Sequence, residues 1–261
     1  MTKLQVDQCR LSFDVEGPQE APPLLLLNSL GTTTDLWKQQ VDQLTPLFRV
    51  IRCDTRGHGL SDSPPGPYTL ERLGRDALAV LAAANAPRAH VCGISLGGMV
   101  ALWLAANAQE RVDRVIAANT GATIGTPSFW NQRIAAVQAS GLSGMTDTLT
   151  KRWFTDRFCQ TDPVIVGQFR SMLSACTVEG YAGCCAALRD ANLNDALARI
   201  AAPVLVINGA NDEATPPEAG NLVQTRVGGA RVVTLEAAHL SNVEQAGAFN
   251  ATILSFLTNS H

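Results

Sequence analysis

The chain has 261 residues, of which 46% are hydrophobic, and carries a formal net charge of −3 at neutral pH. This length suits one large domain or two modest ones, and the composition is typical of a globular protein with a well-filled core. Because Lys and Arg are scattered and the net charge is negative, we expect neither a nucleic-acid partner nor an anionic membrane surface. No apolar secretory segment opens the chain, and the first wholly apolar run, Leu24–Leu27, is too short to span a bilayer.

Cysteine usage points to a reducing compartment. There are seven cysteines, an odd number without the regular spacing of a disulfide framework, and Cys184 and Cys185 are adjacent. No Cys-x-x-Cys or His-x-His pattern suggests a metal site. We therefore expect a cytoplasmic protein with buried free thiols and no metal or other cofactor; the sequence leaves the oligomeric state unknown.

Strand-like and helix-like segments alternate through the first part of the chain. Residues 4–15 alternate roughly as a hairpin strand, and Gly17–Pro18 marks the turn. The further elements in this part are strands at Leu24–Leu27, Val50–Asp54, Ala89–Ile94 and Val112–Asn119, and helices at Thr69–Ala86 and Met99–Ala108. Continuous apolar strands between helices indicate a parallel sheet that is covered on both faces.

The pattern changes between residues 122 and 192, where no strand is evident. Four helices are predicted there, at Phe129–Ala139, Met145–Phe158, Pro163–Cys176 and Gly180–Asp190. Strands resume at Pro203–Asn208 and Arg231–Leu235, and an amphipathic helix follows at Asn242–Thr258. We interpret residues 1–121 and 193–261 as an α/β core and residues 122–192 as a helical cap inserted after the sixth strand.

The most informative motif is Gly93-Ile94-Ser95-Leu96-Gly97, which lies between an apolar strand and a helix. A Gly-x-Ser-x-Gly turn in this context holds the serine in a strained conformation, with its hydroxyl exposed above the sheet. Gly93 and Gly97 allow the strand and the helix to pack closely on either side. The positive end of the helix dipole then lies where an oxyanion would form. Ser95 is therefore the candidate nucleophile, and the alternative is an ordinary Gly/Ser turn.

A serine nucleophile needs a base within hydrogen-bond reach. His239 lies between the last strand and the last helix, at the edge of the sheet where Ser95 is expected, and is the candidate base. Of the other histidines, His58 lies in a Gly-rich turn and is expected to hold that loop. His90 begins a strand and His261 ends the chain, so neither is placed to act.

The third group must orient the imidazole and stabilise its charged form. Asp212 follows the strand that ends at Asn208 and is the candidate acid. Its neighbour Glu213 is further from the strand, and Glu236 is expected to be a surface carboxylate. Asp212 could instead cap the helix predicted at residues 217–226.

Several segments resemble the α/β-hydrolase family over nearly the whole chain. They are Asn28-Ser29-Leu30-Gly31, residues 54–61 (Asp-Thr-Arg-Gly-His-Gly-Leu-Ser), residues 93–98 (Gly-Ile-Ser-Leu-Gly-Gly), residues 208–212 (Asn-Gly-Ala-Asn-Asp) and Ala238-His239. The resemblance implies a mostly parallel, eight-stranded sheet with helices on both faces, and the family's chain order of serine, acid and histidine. It also implies that the backbone N–H groups of Leu30 and Leu96 form an oxyanion hole. Asn28-Ser29 replaces the family's commoner His-Gly.

Within that family the chain is most similar to the 3-oxoadipate enol-lactonases of aromatic degradation. This similarity depends on Asn28-Ser29-Leu30-Gly31, Trp130-Asn131-Gln132-Arg133 and Arg152-Trp153-Phe154. It implies a serine hydrolase that opens a small anionic enol-lactone, without a cofactor. The alternatives on the same three residues are a broad carboxylesterase or perhydrolase and a carbon–carbon hydrolase. A receptor without activity on the same fold is the alternative from another class.

The predicted cap supplies candidates for substrate binding. Trp130, Arg133 and Val137 have the spacing of residues on one helix face. If that face lies above Ser95, Arg133 could bind a substrate carboxylate while Trp130 packs on the ring. Otherwise Arg133 is a surface residue paired with an acid. Trp153 is either a wall of the pocket or part of the cap core.

Overall fold

An eight-stranded sheet forms the centre of the protein. The computed structural model describes residues 1–259. The strands are β1 (Thr2–Val6), β2 (Cys9–Glu16), β3 (Pro23–Leu27), β4 (Arg49–Cys53), β5 (Ala89–Ile94), β6 (Val112–Ala118), β7 (Val204–Gly209) and β8 (Arg231–Leu235). Their order across the sheet is β1-β2-β4-β3-β5-β6-β7-β8, and every pair from β4 to β8 is parallel. The predicted fold class, with its mostly parallel eight-stranded sheet, is confirmed.

The prediction of the hairpin turn at Gly17–Pro18 was wrong. Residues 4–15 form two antiparallel strands, with Leu4 opposite Leu11, and the chain reverses at Asp7–Gln8. Asp7 has a φ of +49°, which tight two-residue hairpin turns require and which Asp tolerates. Because hydrophobic alternation continues through this short turn, the pattern alone does not separate the strands. Gly17 instead begins the connection from β2 to β3.

Helices flank the sheet. They are α1 (Lys38–Leu44), α2 (Leu70–Ala83), α3 (Leu96–Asn107), α4 (Pro127–Ser140), α5 (Thr146–Thr150), α6 (Asp156–Thr161), α7 (Pro163–Ser174), α8 (Val178–Asp190), α9 (Pro217–Arg226), α10 (Ser241–Glu244) and α11 (Ala246–Thr258). Short 3₁₀ helices occur at Thr34–Trp37, Gln109–Arg111, Ser143–Met145 and Leu197–Arg199. Successive residues of β3, β5 and β7 are buried, so both faces of the central sheet are covered. Among residues 1–259 no helix is long and apolar enough to cross a bilayer.

The connection from β6 to β7 contains helices and no strand. The amide of Leu193 donates to the carbonyl of Ala122 at 2.9 Å, so the connection leaves the core and returns to it at one point. Helices α4 and α8 pack against each other within it. Treating residues 122–192 as a separate cap domain stays a prediction.

The prediction of one of the four helices in this connection is wrong. The predicted helix Met145–Phe158 is two short helices, α5 and α6, with residues 151–155 between them. Trp153 and Phe154 are buried there, and the amide of Leu240 donates to the Trp153 carbonyl at 3.0 Å. The Thr155 hydroxyl then accepts from the Phe158 amide and starts α6. Burial of two aromatic side chains, and contact with a distant segment, override local helix propensity.

The predicted last helix is also divided. Asn242–Thr258 forms most of α10 and all of α11, with Gln245 between them in a non-helical conformation. The Gln245 side chain donates to the carbonyl of Glu236 at 3.1 Å. The other core elements lie within a few residues of their predicted bounds.

Candidate active site

Ser95 lies in the sharp turn between β5 and α3. Its φ of +57° and ψ of −116° are unusual for a residue with a side chain, and such strain concentrates at functional sites. The turn is possible because its neighbours are glycines: a Cβ on Gly93 would lie 2.1 Å from the Gly97 carbonyl oxygen, and one on Gly97 would lie 2.2 Å from that of Leu27. The expected strand–turn–helix context of Ser95 is therefore present.

His239 and Asp212 meet although 26 residues separate them in the chain. His239 Nδ1 lies 2.9 Å from Asp212 Oδ2, and both side chains are buried. A carboxylate only accepts hydrogen bonds, so Nδ1 carries the proton and the neutral ring keeps Nε2 as its acceptor nitrogen. That tautomer is the one a general base requires.

Hydrogen-bond donors surround the Asp212 carboxylate. The amides of Ala214 and Thr215 donate to Oδ1 at 2.8 and 2.9 Å, and the Thr215 hydroxyl donates to Oδ2 at 2.7 Å. Burial by itself raises the pKa of Asp212, but His239 and the Thr215 donors outweigh it and lower the pKa to about 2. The carboxylate is therefore ionised and held beside the imidazole.

Asn119, which was not predicted as a site residue, also binds Asp212. Its Nδ2 donates to Asp212 Oδ2 at 3.0 Å and to the carbonyl of Ala238 at 3.2 Å, and its Oδ1 accepts from the Ser241 hydroxyl. Asn119 directly follows β6 and has a φ of +46°, which Asn tolerates better than most residues. The available sequence signal is its position at the carboxyl end of a parallel strand.

Glu244 links the histidine loop to the segment between α5 and α6. Its carboxylate accepts hydrogen bonds from the amides of Ala238 at 3.0 Å and Thr155 at 3.2 Å, and also from the Thr155 hydroxyl. The contact between Leu240 and the Trp153 carbonyl joins the same two segments. The residues on both sides of His239 are therefore fixed to the break between α5 and α6.

Ser95 and His239 face one cavity of about 390 Å³. The three predicted cap residues Trp130, Arg133 and Trp153 line it as well, together with Leu30. The remaining lining residues are Ser29, Ile124, Gly125, Thr126, Phe129, Leu149, Arg152, Tyr181, Leu188, Glu213, Ala214 and Pro216. Most of the walls are thus contributed by the α4–α8 connection and by the loop after Asp212.

Comparison with known proteins agrees with the observed fold. A family model described as alpha/beta hydrolase fold matches residues 22–246. The chain belongs to the α/β-hydrolase fold family. It is 40% identical over 250 residues to 3-oxoadipate enol-lactonase 2 of Acinetobacter baylyi, covering 96% of this chain and 94% of that relative.

Two solved structures are similar to this α/β-hydrolase-fold protein over nearly its full length. The enol-lactonase from Burkholderia xenovorans has a TM-score of 0.97 at 38% identity, covering 99% of this chain and 100% of that one. A hydrolase from Pseudomonas aeruginosa has a TM-score of 0.96 at 45% identity, covering 99% and 98%.

The two predicted oxyanion donors belong to two different segments of the chain. Leu96 is the first residue of α3, and Leu30 belongs to the loop after β3. Both residues are buried, and within residues 1–259 neither amide has a hydrogen-bond acceptor. Leu30 contributes to the cavity wall, whereas the Leu96 side chain lines a smaller space behind the turn.

His58 holds the loop that carries Leu30, in agreement with its expected structural role. The Gly31 amide donates to His58 Nε2 at 2.9 Å, and Nδ1 faces the Arg56 carbonyl at 3.3 Å. Burial lowers the pKa of His58 to about 4, so the ring is neutral at neutral pH. Asn28 secures the same loop by donating to the Cys53 carbonyl and accepting from the Trp37 indole.

Of the other candidates within residues 1–259, Glu213 lines the cavity and His90 and Glu236 do not. His90 is in β5, and His261 lies outside the described residues. Glu236 is exposed, whereas Glu213 lines the cavity. All seven cysteines are free thiols, six of them buried. Residues 1–259 contain no group of three or more acidic, histidine or cysteine side chains that could hold a metal ion.

Trp153 combines the two roles that the sequence left open. Its ring lies edge-on to Phe169 at a centroid distance of 6.3 Å and also lines the cavity. Arg133 is half-buried, and no carboxylate of residues 1–259 lies within 4.0 Å of its guanidinium. Arg152, Tyr181 and Phe129 were not assigned a role in the site from the sequence, although all three face the same space.

Proposed function

We propose that this protein is a serine hydrolase that opens 3-oxoadipate enol-lactone with water to give 3-oxoadipate, in the β-ketoadipate pathway. The observation that carries the proposal is the strained Ser95 facing the same cavity as His239, whose ring is oriented by the ionised Asp212. The similarity to relatives named 3-oxoadipate enol-lactonase supports the substrate.

In the proposed reaction, His239 Nε2 takes the proton of the Ser95 hydroxyl as its oxygen attacks the lactone carbonyl. Asp212 stabilises the imidazolium that results. The N–H groups of Leu30 and Leu96 bind the developing oxyanion, each lowering the barrier by roughly 3 kcal/mol. Neither amide has an acceptor among residues 1–259, so both can donate to the oxyanion.

Ring opening then breaks the acyl C–O bond, and the enol oxygen takes the proton from His239. The enol remains attached to the acyl chain and tautomerises to the ketone, which disfavours reclosure. A water molecule, deprotonated by His239, attacks the acyl-Ser95 carbonyl. Ser95 leaves with the proton, and 3-oxoadipate is released.

The cap residues are proposed to hold the substrate. Arg133 suits a carboxylate because its planar guanidinium offers paired donors, and no acidic side chain of residues 1–259 lies within 4.0 Å of it. Trp130 and Trp153 supply flat apolar walls for the lactone ring. A cytoplasmic location is part of the proposal and is supported by the seven free thiols.

The direct test follows the ultraviolet absorbance of the enol-lactone after addition of purified protein. We expect rapid loss of absorbance with the wild type and a decrease of about 10⁴-fold or more in kcat for Ser95→Ala. Simple nitrophenyl esters serve as the comparison and should give a lower kcat/KM. Near-wild-type lactone hydrolysis by Ser95→Ala would refute the scheme, and a clear preference for nitrophenyl esters would favour a broad carboxylesterase.

A further inference from the structure

Two arginines share one aromatic ring at the cavity wall. The guanidinium carbon of Arg133 lies 4.9 Å from the centroid of Phe129, and that of Arg152 lies 5.7 Å from the same centroid. Both arginines are half-buried and both line the cavity that contains Ser95. Two positive charges are therefore held close together beside an enclosed space.

Neither charge is neutralised by a carboxylate. Arg133 Nη1 donates to the Tyr181 hydroxyl at 3.3 Å, and burial raises the pKa of Tyr181, so this partner stays neutral. Arg152 Nη2 donates to the backbone carbonyl of Glu213 at 3.0 Å. Within residues 1–259, no acidic side chain lies within 4.0 Å of either guanidinium.

The charges around the cavity favour an anionic occupant. Glu213 is the one acidic residue among those lining it, so Arg133 and Arg152 leave a net positive charge. Like charges in a partly desolvated site repel each other, and a bound anion relieves that repulsion. Each guanidinium also has N–H donors that its single protein acceptor does not use.

The break between α5 and α6 positions Arg152. Its amide donates to the Leu149 carbonyl at 3.1 Å, and the next residue, Trp153, accepts from the Leu240 amide. Leu240 directly follows His239. The segment that holds Arg152 is therefore attached to the loop of the proposed base, and both Arg152 and His239 line the cavity.

We infer that Arg152 is a second carboxylate-binding residue, which forms with Arg133 a two-arginine clamp that selects acyl substrates bearing a free carboxylate. The inference rests on the proposed function and deepens it. The clamp binds the carboxylate that is remote from the scissile ester, and it also gives the cavity affinity for dicarboxylates such as the product.

The test separates charge recognition from structural damage by using two enol-lactones. The first is the anionic 3-oxoadipate enol-lactone, and the second is α-angelica lactone, a neutral enol-lactone with a methyl group in place of the carboxymethyl group. For Arg152→Met we expect kcat/KM for the anionic lactone to fall by about tenfold to a hundredfold, since charge-assisted hydrogen bonds are lost. For the neutral lactone, kcat/KM should stay within about twofold because no carboxylate is present.

Two further variants act as controls. Arg152→Lys keeps the charge and should recover part of the lost kcat/KM for the anionic lactone. Lys151→Met removes a charge from the adjacent, exposed residue, which does not line the cavity, and should leave both substrates unaffected. An equal loss for both lactones in Arg152→Met, or no loss for either, would overturn the inference.

A binding measurement keeps this result independent of the proposed reaction. Adipate, a dicarboxylate that the protein cannot hydrolyse, is titrated calorimetrically into the wild type and into Arg152→Met. We expect binding by the wild type and a dissociation constant about tenfold higher for the variant. No binding by the wild type, or equal binding by both, would overturn the clamp. If the wild type binds adipate but leaves the enol-lactone intact, the proposed function fails while the clamp stands.

Discussion

Replacement of Asn119 by Ala tests how the Asp212–His239 pair is held. The substitution removes one hydrogen bond to the ionised Asp212 and one to the carbonyl of Ala238, at 3.0 and 3.2 Å. Bonds to charged groups contribute about 1.5–3 kcal/mol and neutral ones about 1 kcal/mol. The buried Ser241 hydroxyl also loses its acceptor. We therefore expect the free energy of unfolding to decrease by about 4 kcal/mol, a large part of a typical total.

Backbone strain adds about 1 kcal/mol to that loss, because Asn119 has a φ of +46° and Ala is strained there. Asn85 offers a matched control, since its φ is +52°, it is exposed and its side chain makes no hydrogen bond within residues 1–259. Asn85→Ala should lose only the backbone contribution, about 1 kcal/mol. Ser241→Ala removes only the outer hydrogen bond and should cost about 1 kcal/mol, which keeps the test informative if Asn119→Ala fails to fold.

The assays are urea unfolding at neutral pH and steady-state hydrolysis of the enol-lactone. For Asn119→Ala we expect kcat to fall with little change in KM, because Asp212 and Ala238 lose a shared contact while the cavity wall is unchanged. Equal losses of stability in Asn119→Ala and Asn85→Ala would show that the hydrogen bonds contribute nothing. Unchanged kcat in a folded Asn119→Ala would refute its positioning role.

Two more predictions concern ionisation. The pKa of buried His58 is lowered from 6.5 to about 4, so its neutral form stabilises the fold; this contribution is complete above pH 6.5 and is lost as the pH falls toward 4. Over this pH range the free energy of unfolding of the wild type should fall by about 3 kcal/mol, and that of His58→Gln should fall by less. Urea unfolding at several pH values measures both. An identical pH dependence in the two proteins would contradict the assignment. Asp212→Asn should lower kcat about 10⁴-fold because an amide favours the wrong imidazole tautomer, and near-normal kcat would contradict the proposed role.

The sequence predicted the centre of the molecule well because the signals there are local. The Ser95 turn needs glycines within two residues on either side, so the motif and its geometry occur in one short segment. Buried parallel strands are continuous apolar runs, as in Leu24–Leu27, and can be recognised without knowing their neighbours. His239 and Asp212 could be proposed because each follows a recognisable strand.

The errors occur where contacts with distant segments decide the conformation. The helix predicted at Met145–Phe158 is interrupted because Trp153 and Phe154 are buried and Leu240 binds the Trp153 carbonyl. This interruption is also what brings Arg152 to the cavity. The Asp7–Gln8 turn was missed for a different reason, since two strands with the same alternation are joined by the shortest of turns.

The amino-acid sequence by itself determined the order of strands and helices, the strained serine turn and the identity of the residues at the ends of the parallel strands. Tertiary structure alone decided that Asn119 binds Asp212, that Glu244 joins the histidine loop to the segment between α5 and α6, and that two arginines lie beside one phenylalanine. The physical reason is the distance along the chain over which each kind of interaction acts. Periodicity and turn chemistry act over a few residues, whereas these hydrogen bonds and charges meet only after the sheet and the inserted helices have packed.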